Sequence, residues 1–325
     1  MSDPTLESIA AWYKWFADNE ADGQSPLWAS LGRKIANDTE VLRFLAEFPH
    51  PKRQPNLLLA SYRSLFGLPD SWITFRNSVL SERTSLAARM MERSTQTNEP
   101  GRCATLLPLL ARLPQPLAIL EVGAAAGLCL LPDRYGYDYG RCQILPPNVA
   151  EGPVFTCTAS NNTPLPDKLP EIAWRAGLDL NPLDVSNSGQ MDWLEMLVWP
   201  GQEQRAIRLK KSISVARIDP PRVMRGDLMT DLDEIMAEIP AGLTKVIFHS
   251  AVLNYLPTAE ARAAFSEKAM SSADYWISNE SPLVLPDIAS DAPPPSPGSF
   301  MLALNGQPMA WTSPHGFDIQ WIETD

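Results

Sequence analysis

The chain has 325 residues, 45% of them hydrophobic, enough to bury a substantial core as one large domain or a main domain with a smaller one. Its 27 basic and 38 acidic side chains leave a net charge of −11; such a field repels phosphate backbones, so a nucleic-acid partner is disfavoured and a small-molecule substrate fits better. No apolar run reaches the roughly 18 residues of a membrane span, and the acidic, amphipathic start MSDPTLESIAAWYKWF lacks the basic region of a signal peptide, so the expected location is cytoplasmic.

The first part of the chain reads as helical. Leu6, Ile9, Tyr13 and Phe16 recur at helical spacing, as do Leu31, Ile35, Leu42 and Leu45. After Pro49, Pro51 and Pro55, NLLLASYRSLFGL predicts an apolar helix ended by Gly67 and Pro69, and the run from Trp72 to Met91 predicts another. In RSTQTNEPGRCATLLPLLARL, Thr97 or Asn98 can cap a helix whose first turn holds Glu99 and Pro100. Residues 1–94 are therefore expected to form a helical region on the lid and substrate side.

From about residue 115 the pattern alternates. PLAILEVG predicts a buried strand and AAAGLCLLPDRY the helix after it. A polar, Pro-rich insertion at about 137–170 holds one short strand, VFTCTAS. IAWRAGLDL is then a second strand, PRVMRGD a third, TKVIFHSAVL a fourth and ADYWISNE a fifth. Helices are expected between them, at MDWLEMLVWPGQEQRAIRLKKSISVAR with a break at Pro200–Gly201, at LMTDLDEIMAEI and at AEARAAFSEKAMSSA. This alternation predicts an α/β fold with a doubly wound, mostly parallel sheet over residues 95–325. DAPPPSPG reads as a stiff linker, and Asn305–Gly306 predicts a C-terminal antiparallel hairpin.

Ligands of open α/β sheets bind at the carboxyl ends of the strands. Those ends carry Glu121 and Gly123, Asp179, Asp227, His249 and Ser250, and Asn279 and Glu280. A glycine-rich turn lets a backbone approach a ligand, an acid on strand two can accept ribose hydroxyls, and an acid on strand three can accept an adenine amino group. GAAAG by itself is equally suited to close packing of a helix on a strand; the acids at the next two strand ends favour a cofactor loop.

In order, EVGAAAG, GLDLNPLD, VMRGDL and VIFHSAVLNYL resemble four successive motifs of the class I S-adenosylmethionine-dependent methyltransferases. The family's first motif, E/D-x-G-x-G-x-G, is matched by Glu121, Gly123, Ala125 and Gly127, with alanine in place of the middle glycine. The resemblance implies a Rossmann-like sheet and S-adenosylmethionine as cofactor. Gly123 and Gly127 would pass the methionyl part, Asp179 the ribose, and Asp227 the adenine with Leu228 beside it, while Ser250 completes the cofactor side. His249 and Glu280 are the candidate proton acceptors for a small-molecule substrate, and Gln96, Asn98 and Arg102, from the segment before strand one, are minor site candidates. The whole chain, including RSTQTNEPGRCATLLP and EVGAAAGLCLLPDRYGYDYG, also resembles an uncharacterised bacterial family of unknown function.

Two other classes compete. A non-catalytic ligand-binding protein could retain the fold, and a nicotinamide-dependent oxidoreductase could use a similar sheet, although G-x-G-x-x-G is missing. IDPPR lacks the aromatic residue of the amino-methyltransferase motif and precedes strand three, so it reads as a turn. Ser250 lacks a G-x-S-x-G elbow, which rejects a hydrolase triad. Cys103, Cys129, Cys142 and Cys157 are scattered without C-x-x-C, and three histidines give no metal pairing, so reduced core thiols are expected rather than zinc or disulfides.

Overall fold

The computed structural model describes residues 4–96, 98–147, 152–290, 292–293, 296 and 298–322. The chain divides into two units, Met1–Thr97 with Gly189–Ile207, and Asn98–Ser188 with Arg208–Asp325.

The first unit is helical. Its helices are α1 (Pro4–Trp15), α2 (Pro26–Ile35), α3 (Thr39–Ala46), α4 (Pro55–Phe66), α5 (Trp72–Ser81) and α6 (Arg83–Glu92). The run expected as one helix from Trp72 breaks at Glu82, so α5 and α6 are separate. A six-residue π-helical turn, Phe16–Ala21, follows α1. Asp38 caps α3 by accepting from the amides of Glu40 and Val41, each at 3.0 Å. The core gathers Tyr13, Phe16, Trp28, Phe44, Leu58, Tyr62, Phe75 and Met90, and it includes Trp193 from the later segment. That segment is also tied by hydrogen bonds: Arg63 donates to the Val198 carbonyl at 2.6 Å, and the Trp199 indole donates to Asn56 at 2.9 Å.

The second unit begins with α7 (Cys103–Leu110), every residue of which is buried, and enters β1 (Leu117–Val122), also buried throughout. The helix expected after β1 is absent. Two 3-10 turns, Leu128–Leu130 and Pro132–Arg134, take its place, because Gly127 is left-handed and Pro132 holds Leu131 outside the helical region. The insertion folds as β2 (Gly136–Asp138), β3 (Gln143–Ile144) and β4 (Val154–Thr156), a small separate sheet in the order β3-β2-β4, followed by β5 (Thr158–Ala159). VFTCTAS thus gives two short strands that join different sheets.

β6 (Ile172–Asp179), α8 (Ser188–Leu197) and α9 (Glu203–Ile218) follow, with the helical break where Pro200–Gly201 predicts it. Then come β7 (Val223–Arg225), α10 (Leu232–Ala237), β8 (Thr244–Ser250), α11 (Ala259–Ser272), β9 (Tyr275–Glu280) and α12 (Pro286–Ser290). The last strands are β10 (Phe300–Leu304), β11 (Gln307–Thr312) and β12 (Asp318–Trp321). Asn305 and Gly306, at φ of 49° and 78°, make the expected two-residue turn between β10 and β11. The proposed DAPPPSPG linker falls partly outside the described residues.

The main sheet has nine strands in the order β5-β12-β11-β10-β9-β8-β1-β6-β7. β7, β6, β1, β8 and β9 are mutually parallel, and β10, β11 and β12 add antiparallel pairs. The chain runs outward from β1 to β6 and β7, then returns to β8 on the other side of β1. The strand order therefore reverses between β1 and β8, where such sheets open a crevice. One sheet face is sealed by Ala118, Leu120, Val122, Ile247, Trp276 and Phe265.

Candidate functional site

The turn after β1 is held from several sides. Gly123, Ala125 and Gly127 all have left-handed φ, at 73°, 49° and 70°. Asp179, at the end of β6, accepts from the Ala125 amide through one oxygen and from the Asn181 amide through the other, both at 2.8 Å. The amides of Gly123 and Ala124 donate to the Leu178 carbonyl, the Gly127 amide to the Ala124 carbonyl, and the Leu128 amide to Asn98 Oδ1. The turn's amides are thus largely committed within the protein, and no α-helix N-terminus stands behind them.

Each glycine in this region is also required by protein packing. A Cβ at Gly123 would overlap the Val252 side chain, one at Gly127 would lie 2.8 Å from Pro221, and one at Gly177 would lie 2.5 Å from Ala124. Val252 therefore fills the space against Gly123 between the ends of β1 and β8.

At the ends of β8 and β9 a buried polar chain forms. The Trp276 indole donates to His249 Nε2 at 3.0 Å, and His249 Nδ1 lies 2.7 Å from Glu280 Oε1. Indole can only donate, so Nε2 accepts and the ring proton sits on Nδ1, directed at Glu280. With the ring 0% exposed, neither nitrogen of His249 is open to a ligand. Glu280 Oε1 also accepts from the amides of Val252 and Leu253, at 2.9 and 3.2 Å, which fixes the loop after β8 beside the left-handed Ala251. Glu280 Oε2 is buried without a hydrogen-bond partner.

The register β1–β8–β9 puts Glu121 and Phe248 at one level, and Ser250 and Asn279 at the next same-facing level. On this face Glu121 Oε2, Ser250 Oγ and Asn279 Nδ2 are buried without partners; Asn279 Oδ1 accepts from Thr312 at 2.8 Å. Burial pushes the Glu121 carboxyl well above its usual range, with Cys129 and Asp179 adding to the rise and Arg102 opposing it. Cys129 is itself raised well above the usual thiol range, first by its hydrogen bond with Cys103 and then by burial.

The segment before β1 reaches the same strand ends. Glu99, rather than Asn98, caps the entering turn, accepting from the Gly101 amide; the other candidate cap, Thr97, lies outside the described residues. Asn98 instead holds the turn after β1 through Leu128. Arg102 donates from Nε to the Pro314 carbonyl and from Nη1 to the Ser250 carbonyl, each at 2.9 Å. Gly101 and Gly316 bring their two segments into backbone contact: a Cβ on Gly101 would lie 2.6 Å from the His315 carbonyl, and one on Gly316 would lie 2.8 Å from the Arg102 nitrogen.

The remaining candidates are dispersed. Asp227 lies two residues beyond β7, is exposed, and accepts from the Met229 amide at 2.7 Å. Leu228 packs against the core beneath the sheet face that holds Trp276. Gln96 falls in the helical unit. Tyr255, which composition and spacing do not single out, is 71% exposed at the end of the loop after β8. Its phenol pKa is raised by desolvation, lowered by Arg102 and raised by Asp179 and Glu280. Because the residue is largely exposed, the desolvation is partial, and the three charged neighbours are what locate it over the strand ends. A shallow hollow of about 600 Å³, lined by Arg112, Leu165 and Lys168 among others, lies at the opposite end of β1, which Arg112 precedes.

Together these features define a mixed α/β protein whose buried polar groups converge at the carboxyl ends of parallel strands, around a reversal of strand order. The chain belongs to the family described as "Uncharacterized protein conserved in bacteria (DUF2332)", whose model matches residues 10–321. No curated protein matches it. Among the described residues, no helix is long and apolar enough to cross a membrane.

Proposed function

We propose that the sheet unit is a Rossmann-like, class I methyltransferase-like domain that binds S-adenosylmethionine and methylates a small-molecule acceptor. The observation that carries this reading is Asp179. Two backbone amides fix its carboxylate at a strand end beside the reversal, where a carboxylate is the acceptor that a pair of ribose hydroxyls requires. Asp227, on the next strand connection, is an exposed acceptor suited to an adenine amino group. The residues fit the adenosine half of the cofactor; at the methionyl half, Val252 stands against Gly123 and has to give way.

Bound S-adenosylmethionine supplies a methyl group on a positively charged sulfur. The chain's own part is to hold the two reactants in line and exclude water. For a hydroxyl or amine acceptor, Glu280 Oε2, buried and without a hydrogen-bond partner, is the candidate proton acceptor, and His249 orients Glu280 through Nδ1.

The second reading, a non-catalytic ligand-binding protein on the same fold, is favoured by His249 having both nitrogens engaged. A nicotinamide enzyme is supported less, since the turn amides that a pyrophosphate would need are already used. Calorimetry with S-adenosylhomocysteine and NAD separates the three. Binding of the first in the micromolar range, weakened at least tenfold in Asp179→Ala with little change for Asp227→Leu in melting temperature, is expected. A folded protein that binds neither ligand overturns the cofactor assignment, and binding without any methyl transfer selects the second reading.

A further inference from the structure

Arg102 is 7% exposed, and a guanidinium cannot shed its charge on burial. Among the described residues its partners are two main-chain carbonyls, those of Ser250 and Pro314, and no carboxylate lies within 4 Å of it. Glu121, the acid on the same sheet face, has its carboxyl pushed up by burial, with Arg102 opposing the rise, and it is not in ion-pair contact with the guanidinium. A buried cation with no carboxylate in direct contact is costly, and two carbonyl dipoles answer only part of its hydrogen-bonding capacity.

A second, independent observation points to the same place. Ser250 Oγ and Asn279 Nδ2 are buried on paired residues of β8 and β9, and neither has a partner. The Ser250 carbonyl is itself bonded to Arg102, which ties the guanidinium to this pair of residues. Three donors, one of them charged, thus belong to residues linked at these two strand ends, with Tyr255 exposed on the loop after β8.

We infer that Arg102 is a carboxylate-binding residue: a ligand carboxylate is its missing counter-ion, with Asn279 and Ser250 as supplementary donors. One guanidinium balances one negative charge, and its planar fork matches the two oxygens of a carboxylate. A dianion such as phosphate would leave excess negative charge buried in a molecule that already carries −11. The inference rests on the cofactor reading above for the source of the ligand: the carboxylate belongs either to the amino-acid end of the cofactor or to the acceptor.

The test compares the intact chain with Arg102→Gln and Arg102→Lys by calorimetry, with melting temperatures recorded for each. Arg102→Lys retains the charge while losing the fork, which separates ligand recognition from the loss of the Pro314 and Ser250 bonds. The probes are S-adenosylhomocysteine, 5′-methylthioadenosine (which lacks the carboxylate), and benzoate with benzamide as its uncharged counterpart. If the cofactor is the source, Arg102→Gln weakens S-adenosylhomocysteine at least 30-fold and leaves 5′-methylthioadenosine within threefold. If the acceptor is the source, S-adenosylhomocysteine is unaffected, while benzoate binding to the loaded protein, absent for benzamide, is lost in Arg102→Gln. In either case Arg102→Lys recovers part of the effect. Unchanged affinities for all probes in a folded Arg102→Gln protein overturn the inference. Should the folded intact chain bind neither adenosine ligand, the cofactor reading fails separately. Benzoate binding to the ligand-free chain, lost in Arg102→Gln, then still supports the carboxylate site, and no benzoate binding overturns it.

Discussion

His249 is fixed by two bonds of opposite sense, accepting from Trp276 and donating to Glu280. Its Ala variant would leave a buried indole N–H without an acceptor, Glu280 without its donor, and a cavity. A loss of about 3 kcal/mol is expected in urea denaturation; a loss below 1 kcal/mol would refute the positioning role. Glu121 carries a different prediction. Its folded pKa is raised, so the folded state holds a proton that the unfolded state gives up first. The associated stability is fully present below the unfolded carboxylate value and is lost as pH rises through the folded one. Urea midpoints should therefore fall between pH 5 and pH 9 more in the natural protein than in Glu121→Gln, and equal slopes would contradict this. Cys157, buried and pushed up to about 12, exposes a thiolate fraction of about 10⁻⁴ at pH 8. Iodoacetamide should label it only after unfolding; labelling at the rate of an exposed thiol would sink the prediction. The polar identity of strand-end residues was legible from sequence. The bond between His249 and Trp276, 27 residues apart, was not, because it depends on the β8–β9 register.

At the scale of elements, the five parallel strands followed from buried apolar runs ending in polar or small residues, and the hairpin from Asn305–Gly306. The stretch GLCLLPDRY misled for a physical reason. Its first six residues, GLCLLP, are apolar on every side, so periodicity cannot distinguish a helix from a buried irregular turn, and Pro132 removes a helical amide five residues after Gly127. β12 was missed because four residues with two polar ones carry little strand signal. The loop pair at the strand reversal can be tested directly. Gly123→Ala should cost about 2–5 kcal/mol, since an alanine at left-handed φ costs about 1–2 kcal/mol and overpacking adds about 1–3 kcal/mol. Val252→Ala should relieve only the second part, so the double variant should be more stable than additivity predicts by about 1–3 kcal/mol. Strict additivity in denaturation midpoints would show that Val252 does not press on Gly123.

Across the whole molecule, the helical unit is discontinuous in sequence: Gly189–Ile207 returns to it after the first part of the sheet unit. Trp193 enters its core, and Trp199 and the Val198 carbonyl bind α4. A fragment ending at residue 97 lacks all three. It should lose cooperative thermal unfolding, and the same fragment with residues 189–207 attached through a flexible linker should regain it. Circular dichroism decides, and cooperative unfolding of the shorter fragment would show the later segment to be dispensable. A boundary at residue 94 could be drawn from composition, but the later segment reads as one more amphipathic helix between strands. Only the destination of its apolar side chains assigns it to the helical unit.

The backbone contact between Gly101 and Gly316 has a consequence for how the family can diverge. A methyl group at either position strikes main chain, which cannot swing aside as a flexible side chain can. Drift at one glycine is therefore blocked until the other segment shifts. Related chains should keep both glycines or replace this crossing as a unit, together with the arginine that the two segments share.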